Sequence, residues 1–288
     1  MKKYVLGLIT GLLITGTVVY AAYKYQASEV GYTPSNENFN VDNVEDAIEE
    51  LYDNISGPTY IAPLSTDTHK GIIYLDPTNL KKKCTSTEVN TNYTENGTNG
   101  IPTGIKTGCM KWYVINDSEN DYIIILDHNT TAALAWDNDG EYTSYISSDV
   151  KPEVVKLVNE SEWEVQPRLI TTAEIKTITE YESFSTATHG YYYFDSKSRS
   201  QTANAQNPSR YAWLFNYTNC ASYGCDISDS SVWGYYTSDT VSTIPQSSDN
   251  YWEWNVWNGG YLQSYVPNSD RNCGIRPVIT ISKSIIKP

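Results

Sequence analysis

The sequence from Trp233 to Val278 reads WGYYTSDTVSTIPQSSDNYWEWNVWNGGYLQSYVPNSDRNCGIRPV. It contains four of the eight tryptophans of the chain, among many Tyr, Asn, Ser and Asp residues. Such a mixture is typical of rigid, amphipathic contact surfaces like those of antibody paratopes. The stretch closes with Gly274-Ile-Arg-Pro-Val278, which predicts a core strand. It therefore forms a recognition surface, an active site or only a tyrosine-rich sheet, and the rest of the chain helps to decide between them.

Composition limits the classes of function. The chain has 288 residues, of which 40% are hydrophobic and 13% aromatic, so it can bury a sizeable core. Tyrosine outnumbers phenylalanine by 25 to 4, and a tyrosine packs its ring while its hydroxyl stays hydrated, which favours half-buried sheets and polar contact surfaces. The formal net charge of -14 argues against nucleic acid as a partner, because phosphate backbones are bound by clustered Lys and Arg.

The N-terminus predicts export. Residues 4–23 are uncharged and mostly apolar, and they lie between Lys2-Lys3 and Lys24. A helix of this length, about 30 Å, crosses the hydrocarbon core of a bilayer, and the leading lysines favour an N-terminus that stays inside. The segment is either a retained signal-anchor or a cleaved signal peptide, since Val19-Tyr-Ala21 resembles a small-x-small cleavage site. We expect a protein at the extracellular face, anchored in the membrane through residues 4–23 or secreted.

The five cysteines fit an oxidising compartment. Cys220 and Cys225 are close enough in sequence to close a small disulfide loop, and Cys84 and Cys109 bracket a polar Thr/Asn/Gly-rich stretch. A bridge across that stretch stabilises the fold by about 3 kcal/mol in the loop-entropy model. Cys273 is left over as a free thiol. Neither spacing is that of a zinc site, so the sequence predicts two disulfides and no metal.

Residues 39–55 carry an amphipathic helix pattern. Asp42 or Asn43 can cap the helix, and an apolar stripe follows at helical spacing. The stretch VDNVEDAIEELYDNI resembles the short trimerising repeats of phage tail fibres and related bacterial surface fibres. That resemblance implies a stalk and a homotrimer. The alternative is a helix that simply packs on the head, and the pattern alone favours neither.

Local signals predict the first elements of a globular head. Residues 110–115 and 122–126 form a hairpin around the turn-rich residues 116–120. Pro152 stands at the predicted first position of a helix that runs to Asn159. A second helix begins after Thr171 or Thr172, and Glu174 completes a capping box with Thr171.

Four motifs in order carry a resemblance to a known fold. The segment Arg168–Ile175 (RLITTAEI) resembles the "R-L-P-T-E-x-E-W" helix start of the sulfatase-modifying-factor fold. Then Gly234–Ser238, Trp254–Gly260 and Gly274–Val278 resemble the "W-T-S … W-x-V-x-x-x-G … G-V-R-P-V" finish of its relatives. Together these motifs cover about residues 110–281. The relatives share a C-type lectin-like fold and include bacterial surface proteins and the variable proteins diversified by retroelements.

The resemblance implies an α+β head with a twisted antiparallel sheet and few helices, after an N-terminal hydrophobic helix and a short helical stalk. The enzymes of that fold oxidise a cysteine with paired reactive cysteines near the C-terminus, whereas Cys273 is the only late cysteine here. No nucleophile elbow, zinc motif or phosphate-binding loop is present, so we expect neither catalysis nor a cofactor. A cysteine-dependent oxidase is the least favoured function. The expected domains are a signal segment (1–27), the stalk (28–57), a linker and disulfide-closed loop (58–108) and the head (109–288).

Strand alternation divides the opening stretch into two faces. Trp252, Trp254 and Val256 share one face, and Glu253 belongs to the other. The resemblance makes Trp254 and Val256 framework, so the other face is expected to point outward. Arg276 is expected to be a buried structural arginine paired with a carboxylate. The predicted ligand-binding residues are Asn255, Trp257, Asn258, Tyr261, Gln263, Tyr265 and Asn268.

The predicted function is recognition of a cell-surface glycan or protein, in adhesion or host recognition. Aromatic rings stack on sugars or anchor protein contacts, while amides and hydroxyls fix the orientation of the ligand. In retroelement-diversified proteins the equivalent stretch is the variable ligand-binding surface. The alternative function is that of a structural subunit of a surface fibre or phage-tail-like assembly.

Overall fold

The computed structural model describes residues 43–48, 57–89, 104–131, 133–137, 144–180, 185–187, 190–194, 210–215, 234–241, 252–257, 259–265 and 273–286. The chain divides into two units, Met1–Ser56 and Gly57–Pro288. In the first unit residues 44–48 are helical, and the side chain of Asn43 accepts a hydrogen bond from the Asp46 amide at 2.8 Å. Asn43 is therefore the helix cap. The predicted hydrophobic helix at residues 4–23 lies outside the described residues.

Within the second unit, the described strands and α-helices follow the chain as β1 (Thr59–Ile61), β2 (Ile72–Leu75), β3 (Met110–Asp117), β4 (Asp121–Leu126), α1 (Val150–Asn159), α2 (Thr172–Thr179), β5 (Tyr191–Tyr193), α3 (Ala212–Phe215), β6 (Gly234–Thr240), β7 (Glu253–Trp257), β8 (Tyr261–Tyr265), β9 (Cys273–Gly274) and β10 (Val278–Ser282). Across the described ranges, none of the helices has the length and apolar character that a membrane crossing requires.

The strands form two five-stranded sheets. The first has the order β1-β2-β3-β4-β10 and is antiparallel throughout. The second has the order β5-β8-β7-β6-β9, in which only β6 and β9 are parallel. Few helices accompany these mostly antiparallel sheets, which confirms the α+β class. Strands β1 and β2, which lie in the predicted linker and disulfide-closed loop (58–108), form one edge of the first sheet.

The hairpin of β3 and β4 confirms the sequence prediction. Ser118 closes its turn, because the Ser118 hydroxyl accepts a hydrogen bond from the Asp121 amide at 3.1 Å. Val114 lies opposite Ile124, and a register shift follows before Asn116. The pleat sends alternate side chains to opposite faces, so both faces of this sheet carry apolar residues that need cover.

Three apolar layers cover the sheets. The central layer lies between them and joins Tyr113 and Ile125 of the first sheet to Trp254 and Val256 of the second. An outer layer on the first sheet includes Trp112, Val114, Ile124, Leu157 and Trp163. In an outer layer on the second sheet, Tyr236 and Cys273 pack with Trp136, Leu169 and residues of α1. The second sheet therefore has a core on one face and a partial cover on the other.

Both predicted helices exist, with one change. Thr171 caps α2 in a full capping box with Glu174, as predicted. Arg168 donates two hydrogen bonds to the same carboxylate. Burial raises the pKa of Glu174, but these bonds and those from Thr171 outweigh it and lower the pKa below its ordinary value. The prediction that Pro152 is the first residue of α1 is wrong, because α1 begins at Val150.

A three-residue connection carries the chain from β9 in the second sheet to β10 in the first. Arg276 lies in this connection and is fully buried. Its guanidinium donates to the backbone carbonyls of Leu126, Leu214 and Trp213 and lies 5.2 Å from the ring centroid of Tyr235. Burial raises the pKa of Tyr235 to about 12, against the opposing effect of Arg276. The predicted burial is confirmed, but the predicted carboxylate partner is wrong because the fold supplies carbonyls here.

Close backbone contacts fix the second sheet at Gly234. A Cβ atom at this position would lie 2.0 Å from the carbonyl oxygen of Val256, so only glycine fits. At Gly190 the nearest atom to such a Cβ would be 3.6 Å away, an ordinary contact. The glycine that opens β6 is therefore required by the approach of β7.

Candidate functional site

Five of the predicted recognition residues lie on the hairpin of β7 and β8: Asn255, Trp257, Tyr261, Gln263 and Tyr265. Its turn contains Gly260, whose φ of 80° suits glycine, and the Gly260 amide donates to the Trp257 carbonyl at 3.0 Å. The register pairs Asn255 with Gln263 and Trp257 with Tyr261. Directly paired residues project to the same side of a sheet. The hairpin therefore brings four predicted site residues together on one face.

The predicted alternation is confirmed, but the predicted exposure is wrong. Trp254 and Val256 belong to the core layer between the sheets. On the opposite face, Asn255, Gln263 and Tyr261 are only 1%, 3% and 8% exposed. At the β6 end, this face is buried because the outer apolar layer on the second sheet packs over it. The face is a buried polar surface with an aromatic margin.

The aromatic margin surrounds Tyr261. The rings of Trp257 and Tyr261 are stacked, with centroids 6.1 Å apart and planes 18° apart. Tyr193 and Tyr191, from the neighbouring strand β5, place their ring centroids 5.0 Å and 5.9 Å from that of Tyr261. Burial raises the pKa of Tyr261, and the neighbouring tyrosines raise it further. Trp257 is half-buried and Tyr191 is 45% exposed, so this margin reaches solvent.

A row of polar side chains crosses the same face. Tyr236 of β6 pairs with Asn255, Asn255 with Gln263, and Gln263 with Tyr191. Glu253, two residues before Asn255, projects to the same side and is 3% exposed. The Asn255 amide donates to Glu253 Oε1 at 3.3 Å. We call Glu253, Asn255 and Gln263 the polar row.

The polar row is incompletely hydrogen-bonded. Glu253 Oε2, Asn255 Oδ1 and Gln263 Nε2 are buried and have no hydrogen-bond partner. A buried polar atom without a partner costs about 1–3 kcal/mol, and native proteins contain few of them. Three such atoms on neighbouring positions of one hairpin make the polar row the candidate site in the part of the chain that the structure describes.

Burial disfavours the charged forms of the acidic groups around the polar row. Burial raises the pKa of Glu253 well above its ordinary value, which outweighs the hydrogen bond from Asn255. Burial likewise raises the pKa of Tyr236, whose hydroxyl donates to the Leu134 carbonyl at 2.8 Å. The Cys273 thiol is free and buried, and burial followed by the charge of Glu253 raises its pKa. A thiol in this state is a poor nucleophile.

The other predicted site residues have different outcomes. The Cys84–Cys109 disulfide is present, with Cα atoms 5.4 Å apart. Tyr265 lies in β8 opposite Glu253. The predicted ligand residues Asn258 and Asn268, and the predicted Cys220–Cys225 bridge, lie outside the described residues.

Sequence reasoning did not include three neighbours of the site. Glu253 falls on the predicted face by alternation, but the sequence carries no signal of its burial. Tyr236 and Tyr191 join the face only through the pairing of β6 and β5 with the hairpin. Cross-strand pairing between distant segments leaves no local pattern that could have revealed them.

A second concave feature lies between the β1–β2 loop, the end of β3 and the end of α2. It has a volume of about 580 Å³. Its principal polar groups already have partners: His69 Nδ1 accepts from the Gly71 amide, Asp67 accepts from the Leu64 amide, and Asp117 pairs with Lys283. Burial lowers the pKa of His69, so its ring is neutral at neutral pH. This groove offers volume without the unpaired atoms of the polar row.

No protein-family model, curated protein or solved structure matches this chain. In the ranges that the structure describes, no three His, Cys, Asp or Glu side chains are grouped as a metal site. The polar row and its aromatic margin are therefore the features of this chain that bear on its function.

Proposed function

We propose that this is an exported surface protein whose C-type lectin-like head binds a ligand on the face of β7 and β8. The observation that carries the proposal is the set of three buried, unpaired polar atoms of the polar row. A folded protein retains such atoms where a partner completes them, since leaving them unpaired destabilises the fold. The stacked rings of Trp257 and Tyr261 beside the row supply apolar contact area with fixed geometry.

The ligand is a cell-surface glycan or protein, and the role is adhesion or host recognition. Aromatic side chains next to desolvated hydrogen-bonding groups are the usual energetic centre of a recognition surface. Export through residues 4–23 accounts for the location of such a protein. The Cys84–Cys109 disulfide supports an oxidising compartment.

The test combines two substitutions on this face, Trp257→Ala and Gln263→Met. Trp257→Ala removes the half-buried ring that borders the solvent. Gln263→Met keeps the length of the side chain and removes an unpaired amide nitrogen, so it should leave the melting temperature unchanged or raise it. We expect the double variant to lose binding on arrays of glycans and cell-surface proteins.

The matched control is Thr280→Val, which changes an exposed position of β10 in the other sheet. It should leave both the array profile and the melting temperature unchanged. An array profile that the Trp257→Ala/Gln263→Met variant shares with the wild type would refute the site.

A structural subunit of a surface fibre is the second candidate. It is favoured by Ile48, which lies in the helix capped by Asn43 and is 58% exposed in the single chain. An exposed isoleucine on the apolar stripe of a stalk helix is what a trimer contact would bury. Mass measurement on residues 28–288 distinguishes the candidates. A stable trimer supports the fibre, whereas a monomer at all concentrations contradicts it.

A further inference from the structure

The unpaired atoms of the polar row define the chemistry that would complete them. Glu253 Oε2 and Asn255 Oδ1 are acceptors. The nitrogen and oxygen of a glutamine amide are assigned by their surroundings, so rotation of the Gln263 amide presents an oxygen at the position of the unpaired Nε2. The row then carries three oxygen acceptors on neighbouring positions of one hairpin face. A primary ammonium group carries three N–H donors and no acceptor.

The charge environment favours a cation over a neutral hydroxyl group. Among the described residues, the only group that stabilises the charged form of Glu253 through its side chain is Asn255, and no Lys or Arg contributes to it. The two titratable groups coupled to Glu253, Tyr236 and Cys273, are neutral at neutral pH. Among the described residues, an arriving cation would therefore meet no Lys or Arg that acts on Glu253. Hydrogen bonds between an ammonium and a carboxylate are stronger than those between neutral groups.

The exposed end of this face is on the β5 side. Along the row of paired residues, burial is nearly complete at Tyr236, Asn255 and Gln263, and Tyr191 is the first exposed position. Strand β5 is an edge strand of the second sheet as described. Tyr191 pairs directly with Gln263, so the exposed end of the face lies one strand, about 4.8 Å, from the polar row.

We propose that the polar row of Glu253, Asn255 and Gln263 is a binding subsite for a primary ammonium group of the ligand, such as that of a lysine side chain or an amino sugar. This inference rests on the proposed ligand-binding function of the same face and names the group that the face recognises. On binding, the ammonium donates to Glu253 Oε2 and Asn255 Oδ1, and the carboxyl proton of Glu253 is released to solvent. The stem of the ligand then lies along the Trp257–Tyr261 rings.

The experiment titrates the full chain, held in detergent, with two ammonium probes and their neutral counterparts. Nα-acetyl-lysine methylamide is compared with Nα-acetyl-norleucine methylamide, and glucosamine is compared with N-acetylglucosamine. Isothermal titration calorimetry in two buffers of different ionisation enthalpy reports both the affinity and the protons released. The two ammonium probes show whether a lysine or an amino sugar is the better source of the group.

We expect at least one ammonium probe to bind with a dissociation constant on the order of 1 mM, as suits a small ligand, and to release protons from Glu253 on binding. The neutral counterparts should bind about tenfold more weakly or worse. Glu253→Gln should lower the affinity for the ammonium probe by a similar factor and abolish proton release. The comparison of probes on the wild-type protein stands even if that variant does not fold.

Equal binding of the neutral and ammonium probes would overturn the ammonium subsite, as would an affinity that Glu253→Gln leaves unchanged or a titration in which neither ammonium probe binds. Failure here is distinguishable from failure of the proposed function. If the arrays show binding that depends on Trp257 and Gln263 while the ammonium probes fail, the face binds a ligand of a different chemistry.

Discussion

The buried guanidinium of Arg276 gives the sharpest test of how the two sheets are joined. Arg276→Met keeps an unbranched apolar side chain in the connection between β9 and β10 and removes every donor. Three carbonyls lose a charged hydrogen bond. The Leu214 carbonyl retains the hydroxyl of Tyr235, which donates to it at 2.6 Å. The carbonyls of Leu126 and Trp213 therefore account for most of the loss.

The expected magnitude follows from those two carbonyls. A hydrogen bond to a charged group contributes about 1.5–3 kcal/mol, so the free energy of unfolding should fall by about 3–6 kcal/mol. A loss of about 4 kcal/mol lowers the melting temperature of a unit of this size by roughly 8–16 °C. Urea titration followed by tryptophan fluorescence and circular dichroism measures the change.

Arg210→Met is the matched control. Arg210 lies over the ring of Tyr211 at 4.9 Å and donates to its hydroxyl, as Arg276 lies over Tyr235, but Arg210 is exposed. Its removal should lower the free energy of unfolding by less than about 1 kcal/mol. If Arg276→Met is no more destabilising than Arg210→Met, the buried guanidinium does not hold the sheets together.

Three further predictions test other parts of the head. Removing the Cys84–Cys109 disulfide by a double change to alanine should lower the free energy of unfolding by about 3.5 kcal/mol, from the sequence separation of 25, and a non-reducing denaturation curve that does not shift would contradict it. Gly234→Ala should destabilise strongly because its Cβ meets a carbonyl of β7. Gly190→Ala, whose Cβ makes only an ordinary contact with the Tyr192 side chain, should have a free energy of unfolding within about 0.5 kcal/mol of that of the wild type. The lowered pKa of Glu174 means that its contribution is present above its unfolded pKa of about 4.3 and is lost as the pH falls through the folded value. Glu174→Gln should therefore be less stable than wild type by about 1–2 kcal/mol at neutral pH, with a difference that shrinks in acid; a constant difference across the pH range would count against the ion pair.

The sequence predicted what local patterns determine. The capping box of Thr171 and Glu174 requires only two residues at fixed spacing, and the alternation around Trp254 requires only a strand. The Cys84–Cys109 bridge also follows from a polar stretch that needs a constraint. Each of these features depends on neighbours along the chain, and each is present in the structure.

The features that the sequence did not predict depend on distant segments. Asn255 and Gln263 are polar residues on an alternate face, a pattern that ordinarily indicates exposure, and their burial follows from tertiary packing that has no local signature. The donors of Arg276 reach carbonyls brought together by β4 and α3, so a carboxylate partner was the reasonable expectation for a buried charge. Burial of the polar row is thus the main difference between the predicted and the observed site.

The position of β10 beside β4 has a consequence for biosynthesis. Strand β4 carries Ile123, Ile124 and Ile125, and until β10 pairs with it this row of isoleucines forms an open edge with unpaired amides and carbonyls. Because β10 is made long after β4, a growing chain presents that edge while most of the head is still being synthesised. Open apolar edges are templates for association between chains. Nascent or truncated forms that lack residues 278–282 should therefore need a chaperone, and aggregation should begin at β4.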